Sequence, residues 1–179
     1  MEMVAVVLPT GIPTGEIVSR NDVHSKGLWH KTVHVWIRNR TGEILLQKRA
    51  DTKESHPGLW DISCAGHVSA GDSSSDAAVR ELSEELGLTV HPSDLKQLFS
   101  VSQQYSNFDY SYFDNELVDV YLCCVPVEKE QITPDEKEVS DVVFYPLIAL
   151  KNKLLKEPEI FVPHQQEYEL LFEELSLLP

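Results

Sequence analysis

A chain of 179 residues, 42% of them hydrophobic, is long enough to bury one core, and 15 basic against 29 acidic residues leave a net charge of −14. That balance excludes a general affinity for nucleic acid polymers or anionic membrane surfaces, but not a small anionic substrate held through a metal. Three cysteines, Cys64, Cys123 and Cys124, are too few and too oddly counted for a disulfide framework, so a reducing compartment, the cytoplasm, is expected.

The apolar run at residues 3–8 follows the acid Glu2 with no basic segment before it, so it reads as a strand over 4–8 and not as a secretory signal. Residues 9–15 are dense in turn formers, and 16–19 read as a short strand pairing back. Residues 20–30 read as a loop that carries His24 and His30. Residues 32–38 (TVHVWIR) are β-branched and aromatic, 39–42 form a turn, and 43–49 (EILLQKR) are expected to complete a hairpin with 32–38. A loop over 50–60 contains Pro57-Gly58, and a strand over 61–66 leads out of it.

Residues after Gly71 read as a short amphipathic helix. Ser73, Ser74 or Ser75 can cap its free N–H groups, and Gly87 is placed to close it in the left-handed conformation. Val79, Leu82 and Leu86 recur at helical spacing and should face a core. On another face Glu81, Glu84 and Glu85 stand at i, i+3 and i+4, where like charges cost about a few tenths of a kcal/mol per pair unless a cation joins them. An acidic run of this kind on its own is most often a solvated helix face. Hard divalent cations, however, take several carboxylate oxygens at once, and Mg²⁺ is usually shared between carboxylates and substrate phosphates.

Beyond the helix, 95–103 read as a strand, 105–115 as an aromatic, polar excursion, and 116–127 (ELVDVYLCCVPV) as the strongest strand of the chain. Cys123 and Cys124 lie inside it on opposite faces and read as packing residues. Residues 128–141 are an acidic loop, 142–146 an edge strand, 147–155 a short helix, and Pro158 and Pro163 bound a linker. Residues 165–178 repeat Tyr168, Leu171, Phe172 and Leu175 at helical spacing, a face suited to docking on the body or on a second subunit of a homodimer. The chain reads as one domain over 1–179, with a core over about 30–150 and a C-terminal helix over about 163–178. No stretch approaches the roughly 20 apolar residues of a membrane-spanning helix.

Gly66, Asp72, Arg80-Glu81-Leu82, Glu84-Glu85 and Gly87-Leu88 together resemble the Nudix box, G-x5-E-x7-R-E-U-x-E-E-x-G-U with U aliphatic, with Asp72 where the box has Glu. The resemblance implies an α/β Nudix fold, a mixed β-sheet sandwiched between helices in an α/β/α sandwich. It also implies Mg²⁺ or Mn²⁺ held by Glu81, Glu84, Glu85 and the Gly66 carbonyl, with Arg80 as an orienting residue. Outside the box, roughly residues 9–125 resemble type I isopentenyl diphosphate isomerase. The residues that carry this likeness are Pro9-Thr10-Gly11 or Pro13-Thr14-Gly15, then Arg20, His24, His30, Arg49, Lys53, His67 and Asp114-Asn115-Glu116. It implies a second metal site of His24, His30, His67, Asp114 and Glu116, of a kind suited to Zn, Mn or Fe, and a diphosphate grip by Arg20, Arg49 and Lys53.

Two departures from the isomerase stand out. Ala65 occupies the position of its catalytic cysteine, and Cys64, one step away on a strand, faces the opposite side. The isomerase also loses acids at the positions of Glu81 and Glu84, which are intact here. The expected function is therefore a metal-dependent pyrophosphohydrolase that cleaves a small organic or nucleoside diphosphate by water attack on phosphorus, with Glu84, Glu85 or Glu116 as base. An isomerase, or a non-catalytic sensor of a nucleotide or prenyl diphosphate, are the alternatives. Residues 105–113 are the expected specificity loop.

Overall fold

The computed structural model describes residues 2–176. Strands β1 (Met3–Val7) and β2 (Pro13–Ser19) pair antiparallel. Residues 20–30 are not the expected loop. The Ser19 hydroxyl accepts the Asp22 N–H at 3.1 Å and caps a helix, α1 (Arg20–Ser25), which Val23 and His24 anchor by burial. Next come β3 (Trp29–Ile37) and β4 (Ile44–Arg49), and these do not form the expected hairpin. They meet at the bridge Arg38–Ile44 and diverge into different sheets. Both strands are largely buried on both faces, so each lies in the middle of its own sheet and not at an edge.

The strand expected over 61–66 is likewise two, β5 (Trp60–Asp61) and β6 (Cys64–His67), one in each sheet. Ser63 between them links the sheets: its hydroxyl accepts the Ile37 N–H at 2.9 Å and donates to the Leu45 carbonyl at 2.6 Å. Then follow α2 (Ser74–Leu86), β7 (Leu95–Asn107), β8 (Tyr112–Cys123), β9 (Val139–Tyr145), α3 (Leu147–Lys156) and α4 (Gln165–Ser176). The expected aromatic excursion is the far end of the long β7–β8 hairpin, paired out to Asn107 and Tyr112. Residues 177 and 178 of the expected last helix lie outside the described residues.

The larger sheet runs β2-β1-β3-β8-β7 with β6 also on β3, and β3 pairs parallel with β8 and antiparallel with β1 and β6. The smaller sheet runs β5-β4-β9. Alternation along β3 sends Val33, Val35 and Ile37, with Cys64, against Ala77, Ala78, Leu82 and Leu86 of α2. It sends Trp36 the other way, with Val118, Val120 and Leu122, against Tyr168, Leu171 and Leu175 of α4. The result is the expected α/β/α arrangement, a mixed sheet with a helix on each side. Val79 is only half-buried, so Ala77 and Ala78 do the packing assigned to it. Cys123 is buried as expected, but Cys124 is exposed, because it lies just past the end of β8. Among the described residues no helix is long and apolar enough to cross a membrane.

Candidate functional site

A cavity of about 600 Å³ opens between these layers, and the same alternation that builds the core also furnishes it. His30, Thr32 and His34 share one face of β3 with Trp36, and His30 pairs in register with Glu116 of β8. Helix α2 brings its acids in from the other side. Its cap is Ser73, whose hydroxyl accepts the Asp76 N–H at 3.2 Å, and Gly87 closes it at φ 67°.

Glu81 and Glu85 are buried, whereas the Glu84 side chain is 61% exposed. Glu85 Oε2 accepts from Gln47 Nε2 at 3.2 Å and from the Ala65 N–H at 3.4 Å. Arg80 braces the group: Nη1 donates to Glu81 at 2.7 Å and to Glu84 at 3.3 Å, and Nη2 to the His67 carbonyl at 2.8 Å. Asp72 stands 4.0 Å from Arg80 Nε. A Cβ on residue 66 would lie 2.0 Å from Glu81 Cδ, so Gly66 is what makes room for that carboxyl against the strand. Burial pushes the Glu81 carboxyl up to about 8 against the pull of Arg80, and burial also raises Glu85 despite the charge of Lys53. Two buried carboxyls this costly to ionise unaided, with Glu84 joined to Glu81 through Arg80, are of the chemistry that suits a hard divalent cation.

A second cluster draws one or two residues from each of four elements: His24 from α1, His30 from β3, His67 from β6, and Asp114 and Glu116 from β8. His24 Nε2 lies 3.2 Å from His67 Nε2 and 2.9 Å from Asp114 Oδ1, and His30 Nε2 lies 3.7 Å from Glu116 Oε1. One donor atom each from His24, His30, His67 and Glu116 falls within 4.8 Å of all the others. His30 Nδ1 donates to the Leu28 carbonyl at 3.0 Å, which leaves Nε2 with a lone pair, buried and without a hydrogen-bond partner. Burial pushes His30 down to about 4 and His67 well below the ordinary imidazole value, while burial and then Asp114 push Glu116 up to about 8. Three imidazoles, of which burial favours the neutral form of His30 and His67, beside two carboxyls fit a borderline transition metal.

Arg20, Arg49 and Lys53 all line the cavity. Arg20 lies 3.8 Å from Glu2 with its Nε buried and unpartnered, and Lys53 pairs with Glu138. Arg49 is held in place: Nη1 donates to Asp61 at 2.9 Å, Nε to the Ser55 carbonyl at 3.0 Å and Nη2 to the Ser55 hydroxyl at 3.1 Å. Tyr105 and Tyr112 of the expected specificity hairpin face the cavity, whereas Phe108 and Tyr110 at its tip are exposed. Cys64 sits in the α2 core, where burial and then Glu85 and Glu81 push its thiol well up, while Ala65 lines the cavity.

The far wall was not anticipated. His34 Nδ1 lies 2.6 Å from Glu167 Oε2, Trp36 Nε1 donates to Glu167 Oε1 at 2.8 Å, and Gln103 Nε2 donates to Glu167 Oε2 at 3.3 Å. His164 Nδ1 lies 2.8 Å from Gln103 Oε1, and its Nε2 lies 2.9 Å from Asp61 Oδ1. Burial alone would raise the Asp61 carboxyl, but His164 and Arg49 hold it well below the usual carboxylate range. A histidine at an inward position of an otherwise apolar strand, and His164 and Glu167 three apart at the start of a helix, are the sequence signals that point to it.

Comparison with known proteins gives a consistent picture. The profile of the family described as NUDIX domain matches residues 28–165. A protein of Arabidopsis thaliana named Nudix hydrolase 3 is 41% identical over 173 residues, which are 94% of this chain and 22% of that protein. The chain thus spans about a fifth of that relative's length. A protein of Cereibacter sphaeroides named isopentenyl-diphosphate Delta-isomerase is 32% identical over 153 residues, 84% of this chain and 82% of that one. Among solved structures, a Deinococcus radiodurans protein superposes with a TM-score of 0.72 at 19% identity, covering 96% of this chain and 98% of that one.

Proposed function

The chain belongs to the Nudix family, and from that premise we propose that it is a divalent-metal-dependent pyrophosphohydrolase acting on a small organic or nucleoside diphosphate. The observation that carries the reading is the trio Glu81, Glu84 and Glu85 gathered beside Gly66, with two of the three buried at positions where ionisation is costly. Mg²⁺ or Mn²⁺ held by these carboxylates and the Gly66 carbonyl supplies neutralisation of the phosphates and a lowered pKa for water. Arg80 bridges Glu81 and Glu84 through one nitrogen and so orients both carboxylates. Arg49, Lys53 and Arg20 offer charge-assisted hydrogen bonds to phosphate oxygens. The proton of the attacking water passes to Glu84, Glu85 or Glu116. The second cluster, His24, His30, His67, Asp114 and Glu116, is read as a site for Zn, Mn or Fe. Three cysteines, too few for a disulfide framework, support a reducing compartment such as the cytoplasm.

Isopentenyl diphosphate isomerisation is the second reading, favoured by the histidine cluster and opposed by Ala65, which gives the cavity no thiol at that position. The test is phosphate or monophosphate release, with Mg²⁺ and then Mn²⁺, across nucleoside diphosphates, nucleotide sugars and isopentenyl diphosphate, with the last also watched for isomer. Release that drops about a thousandfold in Glu85→Gln at an unchanged melting temperature supports the hydrolase. Isomer without phosphate release overturns it.

A further inference from the structure

The buried chain of polar groups on the far wall is paired throughout except at one atom. Both oxygens of Glu167 and both ring nitrogens of His164 are engaged, which leaves neither free to take a metal. One donor atom each from His34, His164 and Glu167 falls within 4.8 Å of the others, but His34 uses Nδ1 on Glu167, whereas its Nε2 makes no hydrogen bond within the described residues, and the ring lines the cavity. Opposite His34 in the β3–β6 ladder stands Ala65, and directly opposed residues of an antiparallel pair project from the same face. A methyl group there leaves space in front of the imidazole. Ala65 in turn gives its N–H to Glu85. On the other side the His34 ring lies 5.0 Å from that of His164, which leads through Asp61 to Arg49. His34 therefore stands between the box carboxylates and the arginine that meets the phosphates.

We propose that His34 is the general acid of this site, giving its Nε2 proton to the oxygen that leaves phosphorus, with Glu167 as the positioning residue that orients its ring; this rests on the hydrolase reading above. In the step, water adds to phosphorus and loses a proton to a carboxylate. The bond from phosphorus to the leaving oxygen breaks with its electron pair going to that oxygen, the oxygen takes the proton from His34, and the neutral imidazole is reprotonated from solvent. The groups facing His34 are Glu167 and His164 of the C-terminal segment, Asp61 of β5, Arg49 of β4 and the neutral Gln103 of β7. Burial would lower the His34 value, yet the charge and hydrogen bond of Glu167 outweigh it and raise it, which favours the protonated ring. An imidazole pinned through Nδ1 by a carboxylate and open at Nε2 has the geometry that proton transfer needs.

The test uses ADP-ribose and isopentenyl diphosphate as probes with the intact protein and Mg²⁺. His34→Gln is expected to lower kcat by about 10²–10³-fold with KM nearly unchanged, and to remove the fall of kcat on the alkaline side. Imidazole added to His34→Ala restores part of the rate. Glu167→Gln moves the alkaline fall to lower pH with a smaller loss, and it decides the matter should the His34 variants melt below the assay temperature. A loss that appears in KM alone, or an alkaline limb that stays in place in Glu167→Gln and His34→Gln, overturns the role of His34 while leaving the hydrolase standing. Absence of phosphate or monophosphate release from either probe by the unaltered protein, with or without isomer, overturns both.

Discussion

The two ends of the cavity handle charge in opposite ways. At the α2 end, acids crowd one another, and Glu81, Glu85 and Glu116 carry raised pKa values because burial opposes their ionisation. Beside them, the buried His30 Nε2 has no hydrogen-bond partner. At the α4 end, every acid has its base: Glu167 with His34, and Asp61 with His164 and Arg49. At Glu81 and Glu85 burial prevails over the nearby charges of Arg80 and Lys53, whereas Asp61 and Glu167, as deeply buried, shift downward because the charges and hydrogen bonds of His164, Arg49 and His34 outweigh burial. The first end is built to be completed by something from outside, and the second is complete as folded.

The largest effect that sharpens this contrast comes from the smallest residue. Gly66→Ala puts a methyl group where the Glu81 carboxyl lies, so Glu81 must swing out. Turnover should fall about a thousandfold, in the range found when a preorganised catalytic group is lost, and a rate within tenfold of the original would show that Glu81 can be displaced without harm.

At the other end the loss should appear in stability. Asp61→Asn leaves Arg49 and His164 facing no carboxylate in a buried setting, and breaking such a pair from one side costs about 3 kcal/mol. Urea unfolding with an unchanged midpoint would mean that this wall is not held by its charges.

The smallest effect is the pH response of the metal-free protein. A folded-state value near 8 for Glu81 means that folding favours its protonated form, so its stabilising contribution is present below the ordinary value near 4.5 and fades as pH rises through about 8. His30, lowered to about 4, behaves in the opposite sense: its contribution is full above the ordinary value of 6.5 and is lost as pH falls through about 4. With chelator present the melting temperature should therefore peak in mildly acidic buffer and decline toward pH 8 by a few degrees, roughly 1–2 kcal/mol. Added Mg²⁺ should flatten the alkaline decline, and a metal-free profile that rises toward pH 8 would contradict the assignment.

The same contrast explains what could be read from sequence. The α2 end is one contiguous stretch, Gly66 to Leu88, whose spacing is fixed by a strand, a loop and a helix, so its carboxylates could be placed from the residues alone. The histidine cluster is drawn from four elements, yet its members were recognisable through a resemblance to a known family. The α4 end has no such aid: His34 pairs with Glu167 across 133 positions and His164 with Asp61 across 103. Pairing of strands was the other blind spot. Adjacent strands with a short turn favour a hairpin locally, but β3 and β4 are largely buried on both faces, each in the middle of a separate sheet.

That long reach across the sequence has a kinetic meaning as well. Closing a chain segment of more than a hundred residues costs conformational entropy that local turns do not, and such contacts form only after the intervening sheet gives them a surface. The wall made by Glu167 and His164 should be the last part of the cavity to assemble. Folding intermediates would then hold the α2 carboxylates in place before the cavity is closed, and amide exchange during refolding should protect α2 before α4.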